Sequence, residues 1–176
     1  GGGPALEKAA ETGNPKAVPF PVPMRRRRDM DFSYAGLKTS LKTHLERRDD
    51  PRRELNDQEV ADVAASFQHV AVSHLEDRLK RAFDILKEEG IDTLAVVGGV
   101  ARNRVVRSRI DALCQDYGWQ LKMPPPKLCT DNGVMIAWAA VERLKLGLSD
   151  PISDDVYPRW PFREPPLLSE AAAAAA

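Results

Sequence analysis

The pair Gly98-Gly99 stands between a short apolar stretch, Thr93–Val97, and a segment with helical spacing that begins near Arg102. Glycines have no side chain, so a ligand can approach the backbone closely. The first turn of a helix adds unpaired N–H groups and the positive end of the helix dipole. A nucleotide phosphate fits such a turn. The pattern matches neither the dinucleotide fingerprint nor a Walker motif, and a strand–helix turn that binds nothing explains it equally well.

Two polar residues stand at predicted helix starts and could bind a ligand or an ion. The Asn103 amide has donors and an acceptor, so it could recognise the edge of a base or a ribose; simple capping of the helix is the alternative. Asp131 offers a carboxylate for a metal ion whose other ligands come from elsewhere, and complementing the helix dipole is its simpler role. His69 and His74 lie about 140° apart around a helix, so they do not chelate one ion together.

Four consecutive arginines, Arg25–Arg28, follow a proline-rich stretch and precede Phe32 and Tyr34. Arginines with nearby aromatic residues could lie along an RNA backbone, where each phosphate contact strengthens salt-dependent binding. Residues 1–53 carry 12 basic and 7 acidic side chains, whereas residues 54–176 carry 14 and 19, so the basic excess lies in the part with the arginines. A solvated basic loop without a partner is the alternative interpretation.

The composition limits the class of protein. The 176-residue chain has 26 Lys+Arg and 26 Asp+Glu, and it is 43% hydrophobic and 30% charged, as is typical of a globular domain or a part of one. Its longest apolar run, Val134 to Val141, has eight residues where a bilayer requires about 20, so no membrane insertion is expected. Two cysteines, Cys114 and Cys129, exclude a disulfide scaffold and a four-cysteine zinc site.

Proline content and periodicity divide the chain into four segments. Residues 1–53 hold a short helix, a proline- and arginine-rich connector and a second short helix. Residues 54–150 hold a long helix followed by strand, helix, strand and helix, an alternation that predicts a parallel α/β core. Residues 151–170 are predicted to form an extended tail, and the six alanines at 171–176 are set aside as a non-native end.

The predicted elements have recognisable ends. Asn56 and Glu59 have the spacing of a capping box, so the long helix is expected to run from Asn56 to Glu89. The remaining elements are strands at Thr93–Val97 and Trp119–Met123, and helices at Arg102–Tyr117 and Asp131–Leu146, the last capped by Thr130. The first of these strands is predicted to be buried and parallel.

Seven stretches, in the same order along nearly the whole chain, together resemble one known family. They are Gly2-Gly3-Pro4 with Glu7-Lys8, Phe20-Pro21 with Pro23-Met24, Asp31–Thr39, Ala64–Gln68, Gly98–Ala101 with Asn103, Leu128–Asn132 with Met135–Trp138, and Pro158–Pro161. On these motifs the chain is similar to the TsaD family, the tRNA N6-adenosine threonylcarbamoyltransferases. Val97 and Ala35 stand where that family usually has serine.

The resemblance implies an α/β fold: an RNase H-like lobe of the actin/sugar-kinase/heat-shock ATPase superfold with a helical insertion. It further implies that the chain is the C-terminal half of a two-lobed protein, with the family's HxxxH metal pair upstream of the first residue. Carried over position by position, it implies nucleotide- or substrate-binding roles for Gly3, Glu7, Gly98, Gly99 and Asn103.

The resemblance also implies one divalent metal ion, iron or zinc, ligated in part by Asp131 with the remaining ligands outside this chain. Five basic residues are predicted to face tRNA, namely Arg25, Arg26, Arg27, Arg28 and Lys38. The implied reaction transfers a threonylcarbamoyl group from threonylcarbamoyl-adenylate to N6 of the adenosine adjacent to the tRNA anticodon, without a protein nucleophile. Activity is expected only when the chain is joined to the missing N-terminal lobe.

The implied partners, besides tRNA and the adenylate, are accessory proteins of the family or a second copy that pairs through helices. The expected compartment is the bacterial cytoplasm or the mitochondrial or plastid matrix. The alternative is a catalytically incomplete family member that serves as a structural subunit of a larger assembly.

Overall fold

A computed structural model describes residues 2–149, so the predictions for the tail and the alanines lie outside the described residues. The chain forms two compact units, the first ending at Thr130 and the second beginning at Asp131. The first unit contains α1 (Gly2–Ala10), α2 (Ala35–Glu46), α3 (Asp57–Glu88), β1 (Thr93–Ala95), a 3₁₀ turn (Gly99–Arg102), α4 (Arg104–Tyr117), β2 (Gln120–Lys122) and a second 3₁₀ turn (Pro126–Leu128). The described part of the second unit contains α5 (Gly133–Lys145).

The long helix α3 organises the first unit, and its predicted start is confirmed. Asn56 Oδ1 accepts a hydrogen bond from Glu59 N at 2.9 Å, and Glu59 Oε2 accepts one from Asn56 N at 2.9 Å, which completes the capping box. The helix continues unbroken for 32 residues because apolar side chains recur at helical spacing and no proline or glycine interrupts them.

Three apolar clusters pack along α3 and fix its neighbours. The first cluster joins α1 to α3 through Ala10, Ala64 and Ala65. The second cluster joins the connector and α2 to α3 through Phe20, Leu37 and Val70. The third cluster joins α4 and the residues around β2 to α3, and its buried members are Val72, Phe83, Val106, Ile110, Leu113, Cys114 and Trp119. In the third cluster the Phe83 and Trp119 rings stack with centroids 4.2 Å apart. Removal of this apolar surface from water is what holds α4 and the strands on α3.

The strands β1 and β2 pair in parallel, as predicted, with Leu94 opposite Leu121. The prediction that the stretch Thr93–Val97 is a buried strand is wrong, since the strand ends at Ala95 and Val97 is 71% exposed. Within the first unit only one face of the two-stranded sheet is covered: Leu94 packs against the third cluster, and alternate residues face away from it.

The connector between α1 and α2 is non-helical, as its prolines predict, and it is held on α3 by hydrogen bonds. Val18 N donates to the buried Ser66 Oγ at 3.1 Å, and Ser66 Oγ donates to the carbonyl oxygen of Asn14 at 3.2 Å. Gly13 is required at the closest approach, because a Cβ there would lie 1.9 Å from the carbonyl oxygen of Ala61.

The last helix begins two residues later than predicted, and its predicted cap is wrong. Asn132 Oδ1 accepts a hydrogen bond from Val134 N at 3.1 Å, so Asn132 caps the helix instead of Thr130. Asparagine is a stronger N-cap than threonine, and the extended backbone of Asn132 suits the role. Asp131 therefore precedes the cap instead of beginning the helix.

The helix α5, taken by itself, leaves several large apolar side chains exposed: Val134, Met135, Ile136, Trp138, Val141 and Leu144. Among the helices within residues 2–149, none has both the length and the apolar character that crossing a membrane requires.

Candidate functional site

The Gly98-Gly99 turn joins β1 to the first 3₁₀ turn. Gly98 has a φ of 84° and a ψ of 179°, a conformation that residues with a side chain rarely adopt. Ala101 N donates to the Gly98 carbonyl at 3.1 Å, whereas the first N–H groups, those of Gly99 and Val100, have no partner inside the turn. Within residues 2–149, no atom beyond the adjacent residues lies within 4 Å of where a Cβ on either glycine would be. The turn is an open backbone surface of the kind that a phosphate requires.

The helix α4 begins at Arg104, later than predicted, because residues 99–102 form the 3₁₀ turn and Asn103 becomes the N-cap. Asn103 Oδ1 accepts from Val106 N at 2.9 Å, which confirms the capping interpretation of this residue. Its Nδ2 donates to Gln68 Oε1 at 2.9 Å, and this takes one of the two amide hydrogens. Gln68 was not predicted to be a site residue, although it belongs to the Ala64–Gln68 motif that resembles the family, and that membership could have indicated a role.

Glu7 of α1 lies against the start of α4. Its Oε1 accepts from Arg104 N at 2.8 Å and from Arg104 Nε at 3.3 Å, while the Arg104 guanidinium also pairs with Glu11. The hydrogen bond with Glu7, followed by the charge of Glu11, raises the pKa of Arg104. The fold thus brings Glu7 next to Asn103, and exposed Gly3 stands four residues before Glu7, on the same face of α1.

Arg107 of α4, which sequence reasoning missed, fastens the glycine turn to the chain segment that follows β2. Its guanidinium donates to the carbonyl oxygens of Ala101 at 2.8 Å and Pro124 at 3.2 Å, and it lies 3.9 Å from Cys129 Sγ. The Cys129 thiol is buried and donates to the Pro124 carbonyl at 3.6 Å. A surface-helix arginine gives no sequence signal for such a role, since the role depends on where the chain returns.

Asp131 is exposed and belongs to the second unit. Within residues 2–149, no three side chains of the His, Cys, Asp or Glu types are grouped so that they could hold a metal ion. This part of the chain therefore does not make up a metal site, because one carboxylate is too small a donor set for iron or zinc. The metal role of Asp131 stays a prediction that needs ligands from outside the described residues.

The two histidines of α3 have different surroundings. His69 Nδ1 lies 3.3 Å from Arg109 Nη1, and burial followed by the Arg109 charge lowers the pKa of His69. His74 is fully buried, and its ring stacks on Phe32 with centroids 4.5 Å apart. Neither of its ring nitrogens has a hydrogen-bond partner among the described residues. Burial, followed by the charge of Arg78, lowers the pKa of His74.

The arginine-rich loop lies on α3 with its basic side chains exposed. Arg27 pairs with Asp29 at 2.7 Å and with Asp31 at 2.6 Å, and the hydrogen bond from Arg27 lowers the pKa of Asp29. The charge of Arg27 is thus neutralised within the loop. Four other predicted tRNA-facing side chains are exposed and form no ion pair with a carboxylate in the described part of the chain: Arg25, Arg26, Arg28 and Lys38.

Comparison with known proteins decides the family. The family model for TsaD, tRNA N6-adenosine threonylcarbamoyltransferase, matches residues 1–138. The chain belongs to the TsaD family. The fold implied by TsaD membership is that of the actin/sugar-kinase/heat-shock ATPases, and a helix-rich chain with a small parallel sheet is compatible with it.

Curated TsaD relatives match nearly all of this chain. A protein of Arabidopsis thaliana named "Probable tRNA N6-adenosine threonylcarbamoyltransferase, mitochondrial" is 42% identical over 93% of this chain and 38% of its own length. The tRNA N6-adenosine threonylcarbamoyltransferases of Methylobacterium nodulans and Novosphingobium aromaticivorans are 46% and 42% identical over 93% of this chain, which covers 46% and 44% of their own lengths. The chain therefore spans less than half the length of these relatives.

Proposed function

We propose that the protein containing this chain transfers a threonylcarbamoyl group from threonylcarbamoyl-adenylate to N6 of the adenosine adjacent to the anticodon in tRNA. The observation that carries the proposal is the meeting of Glu7, the Gly98-Gly99 turn and Asn103 at the start of α4. These are four of the five residues for which the TsaD resemblance implies nucleotide binding. Glu7 comes from a distant part of the sequence, whereas Gly98, Gly99 and Asn103 lie within six residues of one another.

The free atoms at this place suit an adenylate. Arg104 contacts Glu7 through Oε1, so Glu7 Oε2 can accept hydrogen bonds from ribose hydroxyl groups. The second Nδ2 hydrogen of Asn103 can donate to an acceptor on the nucleoside while Oδ1 continues to cap α4. The phosphate would then lie at the open N–H groups of Gly99 and Val100 in the glycine turn.

The chemistry proposed for this site depends on positioning. The adenosine N6 attacks the carbamoyl carbon, the bond from that carbon to the phosphate oxygen breaks, and N6 loses a proton as AMP leaves. Holding the adenylate and the amine together lowers the entropic cost of this step, and excluding water protects the mixed anhydride from hydrolysis. We assign no nucleophilic residue to this chain.

A divalent ion, iron or zinc, would stabilise negative charge on the phosphate or carbonyl oxygens when bound. We propose that Asp131 supplies one ligand and that the others come from outside this chain. The exposed position of Asp131 supports this assignment, because an exposed carboxylate can be shared with another segment. For the same reason we propose that this chain alone is inactive.

The basic surface formed by Arg25, Arg26, Arg28 and Lys38 is proposed to bind tRNA phosphates. Their exposure and the absence of carboxylate partners among the described residues leave their charges available. Phe32, which is 45% exposed and supported from behind by His74, adds an aromatic face on which a base can stack.

A paired substitution in the full-length protein tests the nucleotide site. Glu7→Ala should abolish most formation of threonylcarbamoyladenosine, measured by mass spectrometry of digested tRNA after incubation with the adenylate. Glu11→Ala is the matched control, because Glu11 pairs with the same Arg104 side chain but is not proposed to touch the ligand. If Glu7→Ala retained the activity of the control, the proposed site would be wrong.

The partner and compartment predictions remain proposals. Association with accessory proteins or a second copy through helices can be checked by the native mass of the full-length protein. One relative is named as mitochondrial and the others are bacterial, so both predicted compartments are retained. Absence of transfer by a full-length protein that binds its partners would favour the structural-subunit alternative.

A further inference from the structure

We propose that Arg78 of α3 is a positioning residue, which holds the loop Met24–Asp29 in the conformation that presents its arginines to RNA. Arg78 is itself 4% exposed, so its guanidinium cannot reach a phosphate. Its effect on RNA would be exerted through the loop backbone. The RNA part of this inference rests on the proposed function, whereas the ordering of the loop does not.

The contacts of Arg78 are with the main chain of the loop. Its guanidinium donates to the carbonyl oxygens of Met24, Arg27 and Asp29, and the Arg27 contact measures 3.3 Å. Arg81, nearly one helical turn further along, donates to the Arg25 carbonyl at 3.4 Å. Because the carbonyl oxygens of the loop are turned toward α3, its arginine side chains are left on the exposed side.

The charge of Arg78 is balanced where it is buried. Asp77 lies 3.3 Å from its Nη2, and the Asp29 carboxylate lies 3.7 Å from its Nη1. A buried charge is tolerated when it is paired and hydrogen-bonded, and three carbonyl acceptors with two carboxylates provide this for the two terminal nitrogens. Nε of Arg78 is buried without a hydrogen-bond partner among the described residues. The loop and Arg78 are therefore mutually dependent: the loop supplies most of the groups that solvate the guanidinium.

Without this contact the loop would depend mainly on its internal contacts, such as the hydrogen bond from Arg27 N to the Met24 carbonyl and the ion pairs of Arg27 with Asp29 and Asp31. The neighbouring charges of Arg25, Arg26 and Arg28 repel one another, and no helix or strand includes them. Met24 has a φ of 52°, a left-handed conformation that a residue with a side chain keeps only where its surroundings hold it. The carbonyl of Met24 is one of the Arg78 acceptors, so the guanidinium holds the loop at the residue that has this left-handed conformation.

Limited trypsin digestion of the full-length protein tests the ordering of the loop without RNA. Trypsin cleaves after arginine but needs a locally unfolded segment, so an anchored loop is protected. Arg78→Gln should accelerate cleavage within residues 25–28 about tenfold or more, since hydrogen bonds to a charged group are lost. Lys80→Gln is the control, because it makes the same charge change at an exposed position of α3, and trypsin should cleave it at the same rate as the unmodified protein. Unchanged cleavage in folded Arg78→Gln would overturn the proposal.

A double-mutant cycle on tRNA affinity tests the presentation of the arginines. Arg78→Gln should weaken binding and reduce its salt dependence about as much as combined Arg25→Gln, Arg26→Gln and Arg28→Gln. A variant with all four changes should lose little more tRNA affinity than either parent, because the effects of substitutions at coupled residues are not additive. A fully additive loss would overturn the role of Arg78 in presentation. If the triple variant bound tRNA normally, the proposed tRNA surface would fail, and the trypsin result would still decide whether Arg78 orders the loop.

Arg78→Lys keeps the proposal testable if the glutamine variant does not fold. Lysine retains the positive charge near Asp77, but one ammonium group cannot reach three carbonyl oxygens in the way that the planar guanidinium does. Faster cleavage in folded Arg78→Lys supports the proposal, and cleavage like that of the unmodified protein overturns it.

Discussion

Asn103 and Gln68 are joined side chain to side chain: Asn103 Nδ2 donates to Gln68 Oε1 at 2.9 Å. The contact ties the first residue before α4 to the middle of α3. It also sets the amide of Asn103 in one orientation, with the oxygen toward the helix and the nitrogen toward Gln68. One side chain therefore combines helix capping with a directed donor, and the two roles can be separated by substitution.

Asn103→Asp should separate capping from ligand binding. Aspartate keeps the acceptor for Val106 N but removes both amide hydrogens, including the one donated to Gln68, so we expect weaker adenylate binding and a smaller loss of stability than in Asn103→Ala. Asn103→Ala should lose both the cap of α4 and the adenylate contact, and its free energy of unfolding should be lower by about 1 kcal/mol. Chemical denaturation and calorimetry with a stable adenylate analogue would measure the two effects. Normal affinity in Asn103→Asp would restrict this residue to capping.

Asp131→Ala should reduce the metal content of the full-length protein. A lost carboxylate ligand weakens binding of the ion, and metal analysis after dialysis would record the fall. Asp84→Ala is the control, since Asp84 is an exposed carboxylate on α3 with no proposed ligand role. Equal metal content in the two variants would contradict the assignment.

His74 should make stability depend on pH. Its folded pKa lies below its ordinary value, so between that lowered pKa and about 6.5 the unfolded chain binds more protons than the folded one. Stability should therefore fall as the pH is lowered through this range. His69, whose pKa is also lowered, contributes with the same sign.

Substitution of His74 isolates its part of this dependence. His74→Phe keeps the aromatic stack with Phe32 but cannot be protonated, so its free energy of unfolding should vary less with pH. Urea denaturation at several pH values would measure the slope. A slope equal to that of the unmodified protein would show that His69 and other groups account for it.

Local sequence patterns were sufficient to predict several elements of the fold. The capping box of Asn56 and Glu59 and the uninterrupted apolar periodicity predicted α3, and prolines predicted the non-helical connector. These features depend on residues within a few positions of one another. The start of α5 was misplaced because Thr130 and Asn132 are both cap residues, and the choice between them depends on backbone conformation.

The sequence by itself determined the family and the order of the elements, and it predicted the candidate site residues. Only the tertiary structure decided that Glu7 lies at the start of α4, that Arg107 fastens the glycine turn and that Arg78 anchors the arginine-rich loop. Motifs and periodicities are local, so they can be recognised residue by residue. The partner of a long charged side chain depends on which distant carboxylate or carbonyl the packing brings within about 3 Å, and that distance exists only in the folded chain.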